Sequence, residues 1–183
     1  MMTIGHSTLP IESFLRALKE NDCNLLVDVR RYPGSRRHPQ YGQKQLFSSL
    51  EKEGIQAAWR EGLGGRRPAQ KGSLNTGWRN EGFRGYADYM QTPEFAQHID
   101  WLMDQQALNR IVIMCAEALP WRCHRSLIGD AVLARGGVVE DIFVLPDGTS
   151  SRKPHGMTPF ARVEAGRLFY PPAEVDSMEL GFK

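Results

Sequence analysis

The sequence predicts an α/β fold: a three-layer α/β/α domain with a mainly parallel, Rossmann-like sheet. Three observations predict it. Ile111-Val112-Ile113-Met114 is a continuous apolar run, the mark of a strand buried on both faces. Leu25-Leu26-Val27-Asp28-Val29 is a second such run, with one acid inside it. Segments of helical periodicity flank both, and strands alternating with helices imply a parallel sheet covered on both sides.

Taken in order, Met1 to Ile4 reads as a short edge-length strand ending in Gly5-His6-Ser7-Thr8. Ser7 or Thr8 suits the cap of the next helix, with Pro10 in its first turn. Ile11, Phe14, Leu15 and Leu18 give that helix its apolar face. The second strand ends at Arg30-Arg31, and the stretch from Tyr32 to Tyr41, with two prolines and a glycine, reads as a loop. A helix spans Gln43 to Glu53, stopped by Gly54, and Ile55 to Trp59 is a third strand. Gly62 to Gly77 is the least regular part, and loops of that length are usually functional or mobile. Helices follow around Tyr86 to Met90 and from Pro93 to Ala107, the latter burying Phe95, Ile99, Leu102 and Met103. After the Ile111 strand, Leu119-Pro120 breaks the chain direction. Helical spacing resumes from about Arg122, with Leu127, Ile128, Ala131, Val132 and Leu133 on one face and Gly136-Gly137 at the end. Val138 to Leu145 is a further strand and Pro146-Asp147-Gly148 a turn. The tail carries a polar cluster from Ser151 to Gly156, a short helical piece and an extended Leu168-Phe169-Tyr170. Residues 1–183 show no internal repeat and no second-domain boundary, so one domain is expected.

Composition narrows the function classes. No apolar stretch is long enough to span a bilayer, and no secretory signal pattern opens the chain. Three irregularly spaced cysteines argue against a disulfide framework and for a cytoplasmic setting. The net charge is only +2, but between Arg30 and Arg84 stand 12 Lys+Arg against 4 Glu and no Asp. The basic residues are 17 Arg to 6 Lys, and arginine is the better residue for bidentate contact with phosphate or carboxylate. This polarised segment points to an anionic partner, a small molecule or a nucleic acid.

In a parallel sheet the strand carboxyl ends share one edge, where ligands bind. That edge is expected to collect Gly5-His6-Ser7, Asp28-Val29-Arg30-Arg31 and Cys115-Ala116-Glu117. Cys123, His124, Arg125 and Ser126 lie near the first turn of the following helix, where free N–H groups and the helix dipole favour anions. Glu117 and Asp28 are therefore candidate acid–base groups, with His6 nearby and Cys115 a candidate nucleophile. Ser7, Arg30, Arg31, Arg36, Cys123, His124 and Arg125 are candidate anion-binding residues. Structural ion pairs of Asp28 and Glu117 with arginines account for the same residues equally well.

Thr3-Ile4-Gly5-His6-Ser7, Asp28 through Arg36, Met114-Cys115-Ala116-Glu117 with Cys123-His124-Arg125, and Thr158-Pro159 through Gly166 to Pro171 resemble the domain-of-unknown-function family 488. The resemblance runs over nearly the whole chain. It implies a three-layer α/β domain and supplies no activity.

The chemistry is weighed residue by residue. A phosphatase-like loop needs five residues between Cys and Arg, but six separate Cys115 from Arg122 and nine separate it from Arg125. Glu117 would also place negative charge in such a cradle. No pair among Cys115, Cys123 and His124 has the usual zinc spacing, and adjacent Cys123-His124 on a helix diverge, so no metal is expected. Gly64-Gly65 is not followed by Gly-Lys-Ser/Thr, and no dinucleotide fingerprint occurs, so no cofactor can be named. Tyr32, Tyr41, Trp59, Trp78, Phe83 and Tyr86 interleave with arginines as in single-strand nucleic-acid binders, although some of these belong to a core. The leading expectation is an enzyme with an arginine-rich anion cleft, acting on a nucleotide or nucleic-acid-derived phosphorylated substrate. The alternatives are a non-catalytic nucleic-acid-binding module and a cysteine-based thiol or sulfur-transfer enzyme.

Overall fold

A computed structural model describes residues 1–34, 36–145 and 147–172. The expected Pro146 turn position and Ser35 of the family-like motif lie outside them. In chain order the elements are β1 (Met2–Gly5), α1 (Ile11–Glu20), β2 (Leu25–Asp28), α2 (Gln43–Lys52), β3 (Gln56–Trp59), α3 (Glu81–Tyr89) and α4 (Pro93–Leu108). Then come β4 (Ile111–Cys115), α5 (Arg125–Ala134), β5 (Glu140–Val144), β6 (Ser150–Pro154), β7 (Arg162–Glu164) and β8 (Arg167–Phe169). Short 3₁₀ turns sit at Pro39–Tyr41, Glu61–Leu63 and Pro120–Arg122.

The six-stranded sheet runs β3-β2-β4-β1-β5-β6, parallel except for the antiparallel edge pair β5–β6. Helices cover both faces, giving the three-layer architecture. Side chains alternate along a strand, and that alternation sorts the core in two. Leu26, Val112, Met114 and Ile4 pack toward α1 and α2. Leu25, Val27, Ile111, Ile113 and Cys115 pack toward α3, α4 and α5. The central strands β1, β2 and β4 are buried at every residue. Among the described residues no helix is long and apolar enough to cross a membrane.

Several local expectations are corrected. Pro10, not Ser7 or Thr8, occupies the cap position of α1, and no side chain caps it. Ser7 instead turns the chain with φ of 45°. Helix α3 begins earlier than its apolar spacing suggests, because the Asn80 side chain accepts from the amides of Gly82 and Phe83. The cluster around Ser151 forms strand β6, and Thr158 to Ala161 is a turn rather than a helix. The Gly62–Gly77 loop is tied down: Asp88 accepts from the Gln70 amide, the Ser73 hydroxyl and Asn75 Nδ2 at 2.5–2.8 Å. Arg67 lies over the Tyr89 ring at 3.7 Å, which anchors the loop again.

Candidate functional site

The parallel register brings the expected clusters to one edge. Gly5 pairs with Cys115 and Asp28 with Met114. Beyond the strand ends the His6 and Ser7 amides donate to the Cys115 and Ala116 carbonyls. A side chain at position 5 would collide with the Glu117 carbonyl and Arg125 Nη1, so glycine is required there by space alone.

The alternation that divides the core also divides this edge. His6, Asp28 and Arg30 form one buried cluster beside Tyr41. Arg30 donates to both carboxylate oxygens of Asp28, with Nη2 at 2.6 Å, and to the Tyr41 carbonyl at 2.9 Å. His6 stacks on Tyr41 with ring centroids 4.0 Å apart. Burial, then the charge of Arg30, lowers the His6 pKa to about 4, so its ring is neutral in the fold. Burial pushes the Asp28 carboxyl up, against the opposing pull of Arg30. The Arg30 guanidinium is thus buried and turned onto protein groups.

On the other face, α5 sets the second cluster. Cys123 is extended (φ −137°, ψ 143°), closing the Pro120–Arg122 turn, and His124 caps α5. The premise that the two share a helix and diverge is therefore corrected: a bend lies between them. Their ligating atoms and Cys115 Sγ all lie within 4.8 Å of one another. Cys123 Sγ is 3.7 Å from His124 Nδ1, and His124 Nε2 is 3.1 Å from the Val29 carbonyl. A carbonyl only accepts, so Nε2 carries a proton, and Nδ1 faces the thiols. A hydrogen bond from Cys123 holds the Cys115 thiol well below its ordinary pKa despite burial, with His124 adding to the effect. The same contact, with burial, pushes Cys123 up.

This cluster forms the wall of a cavity of about 330 Å³ that also carries Glu117, Arg66, Arg122 and Asn80. Arg66 and Arg122 are exposed, and neither guanidinium hydrogen-bonds to another described residue. Glu117 is exposed and also lines a neighbouring cleft of about 370 Å³ with Ser7 and Arg122. Arg125, by contrast, is 1% exposed and points inward, to Thr3 Oγ1 and the carbonyls of Glu117 and Ala118. Arg31 donates to the Arg66 carbonyl, and Arg36 is exposed in the loop before α2; neither lines the cavity.

A family model recognises residues 10–132, which carry Asp28, Arg30, Cys115, Cys123 and His124 of the two clusters but not His6. The chain belongs to the DUF488 family. That family is described as a domain of unknown function, so membership fixes no reaction. The match leaves Thr3 to Ser7 and Thr158 to Pro171 outside its span, although β1 completes the DUF488 sheet edge. No curated protein and no solved structure matches the chain.

Arg66, Arg122, Asn80 and Gly65 are the site residues that sequence reasoning did not select. The paired glycines and arginines at Gly64 to Arg67 were the available signal. A Cβ at Gly65 would stand 2.9 Å from His124 Nδ1, so this glycine lets the loop close over the imidazole.

Proposed function

We propose that the protein is an enzyme acting on a nucleotide or related phosphorylated substrate, bound in the cavity at the carboxyl end of β4. One observation carries this reading. Two cysteines, a histidine whose Nδ1 faces them, an accessible carboxylate and two exposed arginines share one cavity wall. Arg66 and Arg122 hold the anion, since Arg30 and Arg125 are engaged with protein groups. Glu117 serves as the general acid or base, being exposed on the same wall. The pattern of interleaved aromatics lends less to a nucleic-acid module. Tyr41 and Tyr86 are wholly buried, and Arg60 and Arg67 stack on Trp101 and Tyr89 within the protein. The test is a thermal-shift screen with nucleotides at low and high salt. A nucleotide that stabilises the fold at high salt, and binds about tenfold or more weakly to Arg122→Ala, is the expected result. Stabilisation by oligonucleotides alone, erased by salt, would instead favour a binding module.

A second reading has Cys115 itself as the nucleophile of a thiol or sulfur-transfer reaction, favoured by its lowered pKa. Metal-stripped, reduced protein treated with iodoacetamide near pH 7 is expected to be labelled at Cys115 well before Cys23. Burial pushes the Cys23 thiol up to about 12. Equal, slow labelling of both would remove this reading.

A further inference from the structure

We propose that Cys115 Sγ, Cys123 Sγ and His124 Nδ1 bind one zinc ion whose fourth position opens into the cavity. The inference deepens the enzyme reading above and rests on it for its catalytic meaning, but the site itself stands on geometry.

The bond lengths of zinc to thiolate and imidazole, with tetrahedral angles, place ligand atoms about 3.6–3.8 Å apart. Cys123 Sγ and His124 Nδ1 are 3.7 Å apart. The remaining pairs lie within 4.8 Å, so a closing shift of about 1 Å or less brings all three onto one ion. The imidazole is oriented as metal-bound histidines are, with its far nitrogen donating to a backbone carbonyl, here Val29 at 3.1 Å. That carbonyl lies just past β2, where the Val29 amide continues the ladder onto the Met114 carbonyl. Cys123 stands just before the cap of the ten-residue helix α5, where the dipole favours thiolate, and Cys115 at the end of β4 lies within 4.8 Å of it. Two thiolates neutralise a divalent cation, so the filled site leaves no net charge inside the fold.

Three protein ligands are the number that catalytic zinc sites use, and the cavity supplies room for the fourth. Glu117 lies on the cavity wall outside the three-atom cluster. A cysteine–cysteine–histidine set with a nearby non-ligand glutamate is a donor set for water activation. Gly65 completes the arrangement, because a methyl group there would press on Nδ1, the ligating atom.

The test titrates reduced, chelator-stripped protein with cobalt(II), then zinc(II). The expected result is one equivalent of cobalt with a thiolate-to-metal charge-transfer band and the intense visible bands of a tetrahedral site, both abolished by zinc. Cys123→Ser should reduce the sulfur band, and Gly65→Ala should weaken cobalt binding about 10–100-fold while keeping a native circular dichroism spectrum. A folded wild-type protein that gives no cobalt–thiolate band overturns the proposal, as does a band unchanged in Cys123→Ser. Nucleotide binding is measured in parallel in EDTA. Nucleotide affinity without a cobalt site removes only the metal. A cobalt site without nucleotide affinity removes the substrate reading and leaves the zinc.

Discussion

Arg125→Ala is expected to destabilise the fold by about 3–5 kcal/mol, measured by urea unfolding at neutral pH. Arg125 is 1% exposed and is the largest wholly buried side chain among the described residues. Nε donates to Thr3 Oγ1 at 3.2 Å, Nη1 to the Glu117 carbonyl and Nη2 to the Ala118 carbonyl at 2.7 Å. Truncation leaves these acceptors facing a void large enough to add a cavity cost to the unmade hydrogen bonds. It also releases the loop between β4 and α5, which carries Glu117. Arg125→Lys is expected to recover only part of the loss, because an ammonium cannot reproduce the guanidinium's planar fork onto two carbonyls. A cost below about 1 kcal/mol for Arg125→Ala would mean that the arginine is free to turn toward a ligand, as the sequence alone suggested.

What was legible in the sequence, and what was not, divides along range. The buried strands β2 and β4 were readable because burial on both faces leaves a nearly continuous apolar run, whereas β1, with Thr3 inside it, read only as a short edge-length strand and lies between β4 and β5. The gathering of His6, Asp28 and Cys115 at one edge followed from parallel topology. Their separation onto two faces did not, although period-two alternation already places Asp28 and Cys115 on opposite sides. Which side carries α1 and α2, and which α4 and α5, depends on the crossovers. Strand β6 was hidden because Ser150 to Pro154 has no apolar pattern; its pairing with β5 makes it a strand. The Cys123–His124 bend was hidden for a related reason. The sequence reads as helical from about Arg122, and only the turn at Pro120 and the extended Cys123 delay the helix to Arg125. The arginines illustrate the same limit: composition marks them as a group, but Arg30 and Arg125 are structural while Arg66 and Arg122 face the cavity. Burial decides that, and burial is a long-range property.

Stability is expected to peak near pH 6.5, because two buried histidines titrate in opposite directions. His155 Nδ1 is 2.8 Å from Asp141 Oδ2, and Nε2 is 3.1 Å from the Ser126 carbonyl and 3.5 Å from Asp130 Oδ1. Burial opposes its charge, yet the two carboxylates prevail and raise its pKa to about 9. The network explains why. Asp141 also accepts from Thr3 Oγ1, which takes Arg125 Nε, and Asp130 accepts from the Tyr170 hydroxyl. Two carboxylates are balanced only if both Arg125 and His155 are cationic. A pKa raised in the fold stabilises fully below the unfolded value and is lost as pH rises through the folded one. From its ordinary 6.5 to about 9, His155 therefore accounts for a loss of about 3 kcal/mol. His6 works the other way. Its pKa falls to about 4, so the unfolded chain takes up the proton first and stability drops as pH falls from 6.5 toward 4, again by about 3 kcal/mol. Urea unfolding across pH 4 to 9.5 should show both limbs. His155→Gln should flatten the alkaline limb and leave the acid limb in place. An alkaline limb unchanged in that variant would show that His155 is neutral in the fold, and that the Asp130–Asp141 pair is balanced by some other proton.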